Sequence, residues 1–299
     1  MREVSGVFDH FWNGDWAVPI AALVDRPHTK SDLKSLREFV REQIEAENYP
    51  HPLDRDVAAL NAELTSLRDQ FIWAPGRIVW DDPAAIEEGI VEGRMAKALF
   101  RKIRTLQSEL LIESAYFVTR DKAVGVVKQL HEKGVRIRVL TNSLASNDVV
   151  AAHAGHAKRR EQLIEAGLEL YEYRPDSLIS KTRAYRGESK AALHTKAIVF
   201  DRESVFIGSF NLDPRSGSIN TEAGLYVESP ELARQVIDYM DDGVQPENSY
   251  RVLLDDNGDL YWVTEVDGNE VRYHKEPETT FGQRFMSGFI MILPVEHQL

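Results

Sequence analysis

His194, Lys196, Asp201, Gly208, Ser209 and Asn211 stand at telling intervals. The histidine and lysine are two apart, the aspartate follows after four further residues, Gly-Ser after six more, and the asparagine after one more. An imidazole exchanges protons near neutral pH. An ammonium and a carboxamide are donors suited to the nonbridging oxygens of a phosphate. The run that contains His194 and Lys196 is strand-like, so the two-residue alternation puts both side chains on one sheet face, where they can converge on one phosphate. Ile198 and Phe200 continue the same run as a buried strand beneath them. Gly208 and Ser209 close the following strand, where a residue without a side chain permits close backbone approach and Asn211 can donate its amide. At ordinary residue usage, six identities at these spacings arise by chance in about one sequence in 10⁵ of this length.

Taken singly, each of these residues has a plainer reading. A lone strand histidine is usually solvent-facing or satisfied within the core, and only the constellation reverses that. His28-Thr29-Lys30 and His131-Glu132-Lys133 repeat the His-x-Lys spacing, but Ser35 and Arg138 stand where the aspartate is required, so both read as surface residues. Asp54, Asp56, Asp81 and Asp82 are paired carboxylates that suit helix caps and turns, and no metal site is expected.

The elements that must position the motif follow from periodicity. Leu33, Leu36, Val40 and Ile44 fall at helical spacing, as do Val57, Leu60, Leu64, Leu67 and Phe71, with a break at Asn48-Tyr49-Pro50-His51-Pro52. Their apolar stripes read as core-facing seams. From Gly76 on, short β-branched runs alternate with amphipathic helices: strands at 77–80, 110–114, 135–140 and 168–173, and helices at 122–133 and 158–166 ended by Gly134 and Gly167. This is the βαβ pattern. Residues 197–200 and 205–207 read as a hairpin, 223–227 as a further strand and 231–240 as a closing helix after Pro230. A last hairpin is expected at Asp255-Asp256-Asn257-Gly258. The fold class expected is α/β, a mixed β-sheet flanked by helices on both faces.

The motif resembles the H-x-K-x(4)-D-x(6)-G-S-x-N (HKD) motif of the phospholipase D superfamily, over a lobe running from about Gly76 to Met240. The resemblance implies phosphodiester transfer through a phosphohistidine, with one motif's histidine as nucleophile and the other's as acid and base. This chain holds one such motif. By that resemblance the catalytic residues are His194, Lys196 and Glu222, the last resembling the family's carboxylate that orients the imidazole. Phosphate would be bound by Lys196, Ser209 and Asn211, and Asp201 and Gly208 would be structural. No cofactor and no metal are implied.

The ends of the chain carry a finer resemblance. Phe11-Trp12-Asn13, Ala17-Val18-Pro19-Ile20, Glu113-Ser114-Ala115-Tyr116-Phe117 and the segment Leu293 to Leu299 are similar to bacterial cardiolipin synthases of the C type. That resemblance implies a division into a first-lobe remnant (1–21), a helical connection (22–75), the motif-bearing lobe (76–247) and a hairpin with an amphipathic tail (248–299). It implies phosphatidyl transfer or hydrolysis on a phospholipid, incomplete without a first-motif lobe or a second copy of the chain. The alternatives are a homodimeric phosphodiesterase or nuclease, and an inactive truncated fragment. A formal charge of −12, from 48 acidic and 36 basic residues, disfavours general attraction to polyanions, so nucleic acid is not expected as a partner. No cysteine is present, which excludes thiolate metal sites and disulfides. No signal core or bilayer-spanning run is found, so the chain is expected in the cytoplasm or peripherally at the cytoplasmic membrane. Phe281 to Leu293 is too short to span but suits lying on a membrane or against another lobe.

Overall fold

Short β-branched runs pair into one ten-stranded sheet in the computed structural model, which describes residues 2–24, 29–46, 57–68, 71–87, 93–177 and 192–293. Two units divide between Trp73 and Ala74. The first contains helices α1 (Arg2–Trp12), α2 (Lys30–Ala46) and α3 (Val57–Arg68). In α1 the rings of Phe8 and Trp12 stack 5.6 Å apart. Leu33, Leu36 and Val40 of α2 are exposed, which corrects the expected core-facing seam: periodicity shows which residues share a face, not what covers it. The break at 48–52 and Asp54 and Asp56 lie outside the described residues.

The second unit holds the sheet. Its strands are β1 (Gly76–Trp80), β2 (Glu109–Ser114), β3 (Arg136–Asn142), β4 (Leu168–Tyr173), β5 (Lys196–Phe200), β6 (Ser204–Gly208), β7 (Ala223–Glu228), β8 (Ser249–Leu254), β9 (Leu260–Val266) and β10 (Asn269–Tyr273). They lie in the order β1-β7-β6-β5-β2-β3-β4-β8-β9-β10. The pairs β2·β3 and β3·β4 are parallel, joined by helical crossovers, and the other neighbours are antiparallel. Two helices, α4 (Ala84–Glu87) and α5 (Arg94–Ile103), follow β1, and the crossovers are α6 (Asp121–Glu132), then α7 (Val150–Ala157) with α8 (Arg160–Glu165). Gly134 and Gly167 end α6 and α8 with positive φ, 83° and 101°.

Both faces are covered. Ile112, Val139, Ile198, Phe200 and Phe206 pack with Met95, Leu99 and Ile103 of α5 (Arg94–Ile103) and with Val127 and Leu130 of α6. On the opposite face Leu111, Ala197, Val199 and Val205 pack with Ala233, Ile237 and Met240. Those last three come from a helix after β7, Pro230–Gly243, capped by Ser229 with Pro230 in its first turn. The two side-chain sets of β5 alternate between the clusters, so Lys196 shares the face of Ile198 and Phe200. The last hairpin forms as β8 and β9, and because β8 pairs with β4 the segment continues the main sheet. The closing helix, Phe281–Ile292, starts with a reciprocal capping box between Thr280 and Gln283.

Candidate active site

A left-handed turn begins the motif's architecture. Asp201 and Arg202, with φ of 50° and 61°, take the left-handed positions of the connection 201–203 between β5 and β6. The Asp201 carboxylate accepts from the backbone N–H groups of Gln107, Ser108 and Glu109 and from Ser108 Oγ, the shortest at 2.8 Å. Burial works to raise its pKa, but these donors hold it below the ordinary carboxylate value. It therefore ties the β5–β6 turn to the start of β2, far from the other end of β5 where His194 lies.

At that other end, Thr195 O accepts from Ala115 N at 3.1 Å, extending the β2·β5 pairing by one step to the histidine. Asn142, at the C-terminal end of β3, clamps the same segment. Its amide donates to Leu193 O (2.9 Å) and Ala115 O (3.0 Å), while its Oδ1 accepts from Leu193 N (2.8 Å) and Ser146 Oγ (3.0 Å). His194 is exposed, next to this fixed backbone. Lys196 Nζ donates to His194 O at 2.9 Å. Burial lowers the Lys196 pKa, opposed by the charges of Glu222, Asp213 and Asp148.

The β6–β7 side brings the remaining motif residues. Gly208 pairs with Gly224, and a Cβ at Gly208 would lie 2.5 Å from Ala223 O and 2.6 Å from Gly224 Cα. Only glycine fits. Ser209 N donates to Ala223 O at 2.9 Å, and Ser209 Oγ donates to the carboxylate of buried Glu222. The other Glu222 oxygen accepts from Asn220 Nδ2 at 3.2 Å, and Glu222 N donates to Asp81. Among the described residues the Glu222 carboxylate is thus bonded to Ser209 and Asn220 rather than to His194. Asp81 also accepts from Met95 N at 2.9 Å and Asp82 from Ala84 N, which are capping roles. Asn211 is buried and donates its backbone N–H to Ser216 Oγ, and its Oδ1 has no hydrogen-bond partner among the described residues.

Two loops close the site. Val118 N donates to Leu212 O at 2.8 Å and Leu212 N to Ser114 Oγ at 3.2 Å, joining the exit of β2 to the loop after β6. Tyr116 donates to Asp148 at 2.8 Å, and its phenol is pushed up to about 12 by burial, with Asp148 and Asp213 adding to the effect. Asp213, raised by burial, caps the short helix Pro214–Ser218 by accepting from Ser216 N. Residue spacing along the chain did not single out Asn142, Asp148, Asp213 or Tyr116 as chemistry. The partners of Asn142, Asp148 and Tyr116 include residues 27 or more positions away, Asp213 acts as a local helix cap, and only the Tyr116 segment carried a signal, through its resemblance to a turn near an active site. An exposed histidine and a half-buried lysine at one strand end are the residue types that hold a phosphate and move a proton at its ester oxygen.

Comparison with known proteins places the chain among its relatives. Residues 99–243 match the family described as "Cardiolipin synthase, PLD-like domain". Cardiolipin synthase C of Escherichia coli K12 is 41% identical over 229 residues, covering 75% of this chain and 48% of that protein. An uncharacterized protein of Helicobacter pylori J99 is 26% identical over 289 residues, covering 96% of this chain and 56% of the other. The chain spans about half the length of these relatives. Among solved structures, the phospholipase D family member Nuc from Salmonella typhimurium is similar at a TM-score of 0.43 and 16% identity, covering 60% of this chain and 99% of that one.

Proposed function

This chain belongs to the phospholipase D superfamily, and we propose that it transfers or hydrolyses the phosphodiester of a phospholipid, with His194 as the proton-moving imidazole. The observation that supports the reading is the placement of exposed His194 and half-buried Lys196 at one end of β5, with Lys196 Nζ on the His194 carbonyl and the Gly208 end of β6 alongside. In the reaction a second histidine attacks phosphorus, the bond to the leaving alcohol breaks, and His194 gives its proton to the departing oxygen. Water or an acceptor alcohol then returns a proton to His194 as its oxygen attacks phosphorus and the phosphorus–nitrogen bond breaks. Lys196, Ser209 and Asn211 hold the nonbridging oxygens through both steps. For Ser209 to do so its hydroxyl must turn from Glu222, which frees that carboxylate to orient His194.

One imidazole cannot stand on both sides of phosphorus at once. The second histidine therefore comes from another lobe or from a second copy of this chain, and the isolated monomer is at best weakly active. The test assays phospholipid turnover by this chain, alone and mixed with a first-motif lobe, against its His194→Ala variant. Turnover should fall by about 10²–10⁴. An unchanged rate in the variant rejects the assignment, and a monomer whose specific rate does not depend on protein concentration rejects the pairing.

A further inference from the structure

On the face of the sheet that carries Lys196, a cleft of about 330 Å³ opens between α5 and strands β1, β6 and β7. That volume lies at the lower end of the ~300–1,000 Å³ range of small-molecule sites. Val79, Leu99, Phe206 and Tyr226 give it an apolar and aromatic floor. Arg77, Arg101 and Lys102 line it as well. Among the described residues none of these three cations is paired with a carboxylate. Two of them are held over aromatic rings: the Arg77 guanidinium is 5.2 Å from the Tyr226 centroid, and Lys102 Nζ is 6.0 Å from the centroids of both Phe200 and Tyr226.

Three cations with no carboxylate partner among the described residues, gathered at one apolar cleft, are a local reversal in a chain of net charge −12. The partly exposed apolar lining, Val79 and Ala98, gains by being covered, and the cations gain by meeting an anion. A purely apolar ligand would leave the charges unanswered, and a free anion would leave that lining uncovered. We propose that this cleft binds an anionic amphiphile, a phosphate-type head at Arg77, Arg101 and Lys102 with a single alkyl tail along the partly exposed Val79 and Ala98. The cleft is separate from His194 and goes beyond the phosphodiester chemistry assigned above. The two sites nevertheless share a wall: the Phe206 ring that lines the cleft fills the space left by Gly208 and Gly224, within 3.0 and 2.4 Å of where their Cβ atoms would be.

The experiment is calorimetric titration of the full chain carrying Lys196→Ala, so that the motif's own ammonium does not report. The probes are octyl phosphate, decanoate, octyl glucoside and inorganic phosphate. Octyl phosphate should bind one to one, and the other three at least about tenfold more weakly, because each lacks the second charge, the charge altogether, or the tail. Arg101→Ala with Lys102→Ala should weaken octyl phosphate by about tenfold or more. Ala98→Phe, which fills the cleft from α5, should abolish binding. Equal binding of inorganic phosphate or octyl glucoside overturns the amphiphile, and equal binding of decanoate overturns the phosphate head. Undiminished affinity in the double variant overturns the site itself. Should Ala98→Phe not fold, the two exposed-side substitutions decide the matter, and binding lost with Lys196→Ala alone assigns it to the motif and overturns the proposal.

Discussion

Asn142 uses its whole hydrogen-bonding capacity on the backbone around His194, two donors on carbonyls and Oδ1 on Leu193 N and Ser146 Oγ. Removing it strands the Leu193 N–H and C=O and leaves Ala115 O only the 3.5 Å contact from Thr141 Oγ1, each unpaired group costing about 1–3 kcal/mol. Asn142→Ala should therefore lower the unfolding free energy by at least about 1–3 kcal/mol and reduce turnover further than the fraction unfolded explains. Full turnover in a variant shown to be folded by circular dichroism would deny Asn142 a positioning role. Lys196 makes a second residue-scale prediction. Burial lowers its pKa from the free-lysine value of 10.5, so its charge is lost at a lower pH than a solvated lysine would lose it. Binding of inorganic phosphate should weaken as pH rises below that value, and Lys196→Arg, which stays charged, should remove this alkaline limb. A limb unaltered by the arginine belongs to another group.

Elements turn these residues into a site, and the β5–β6 hairpin shows how. Asp201→Asn keeps a residue that tolerates the left-handed turn but loses the charge accepting from four donors, and should cost about 1–3 kcal/mol in urea unfolding. Gly208→Ala places a methyl against the β7 backbone and should cost about 1–3 kcal/mol or break the β6·β7 pairing; full stability of either variant would contradict the geometry. The closing helix makes a different prediction. Phe281, Phe285, Phe289 and Ile292 are exposed on it, Ile292 at 84%, so deleting residues 281–299 should weaken liposome association if this face lies on a membrane. Unchanged association in a folded protein assigns the stripe elsewhere. Much of this was legible in the sequence because it is local. The His194–Asn211 spacing, the glycine stops at 134 and 167 and the two-period runs are all signals within a few residues. What escaped is non-local. Helix α7 has no clear apolar period because it buries His153 and His156 along with its alanines, and Asn142 gains its meaning from partners 27 and 51 residues away. The α2 stripe was legible as a face but not as an exposed one.

Across the whole second unit, α7, α8, β4, β9 and the segment after β10 are held by one buried ionic network. Arg160 donates to Glu172 at 2.7 Å and Glu276 at 2.8 Å, and its guanidinium lies 4.8 Å from the Trp262 centroid. Trp262 donates to Glu172 at 2.8 Å, while His156 Nε2 lies 3.2 Å from Glu172 and His153 Nε2 3.1 Å from Glu276. Burial acts to raise both glutamates, yet Arg160 and the histidines prevail and hold both carboxyls below the ordinary glutamate range. Removing Arg160 would leave the charges unpaired in the interior, a loss of about 3–5 kcal/mol for buried pairs of this kind. A carboxylate depressed in the folded state contributes stability that is present above its unfolded pKa and is lost as pH falls through the folded one. With 4.5 as the ordinary glutamate value, the protein should hold its stability at neutral pH and lose it progressively below that point, together with the contribution of Asp201 below 3.8. Arg160→Met makes the origin of this loss measurable. The variant's two glutamates protonate more readily, so its deficit relative to the parent should be largest at pH 7 and should narrow as pH falls below 4.5. Urea unfolding of both proteins at pH 7 and pH 4 reads the difference directly, and a deficit of the same size at both values would mean that Arg160 stabilises the fold by packing on Trp262 rather than by its charge.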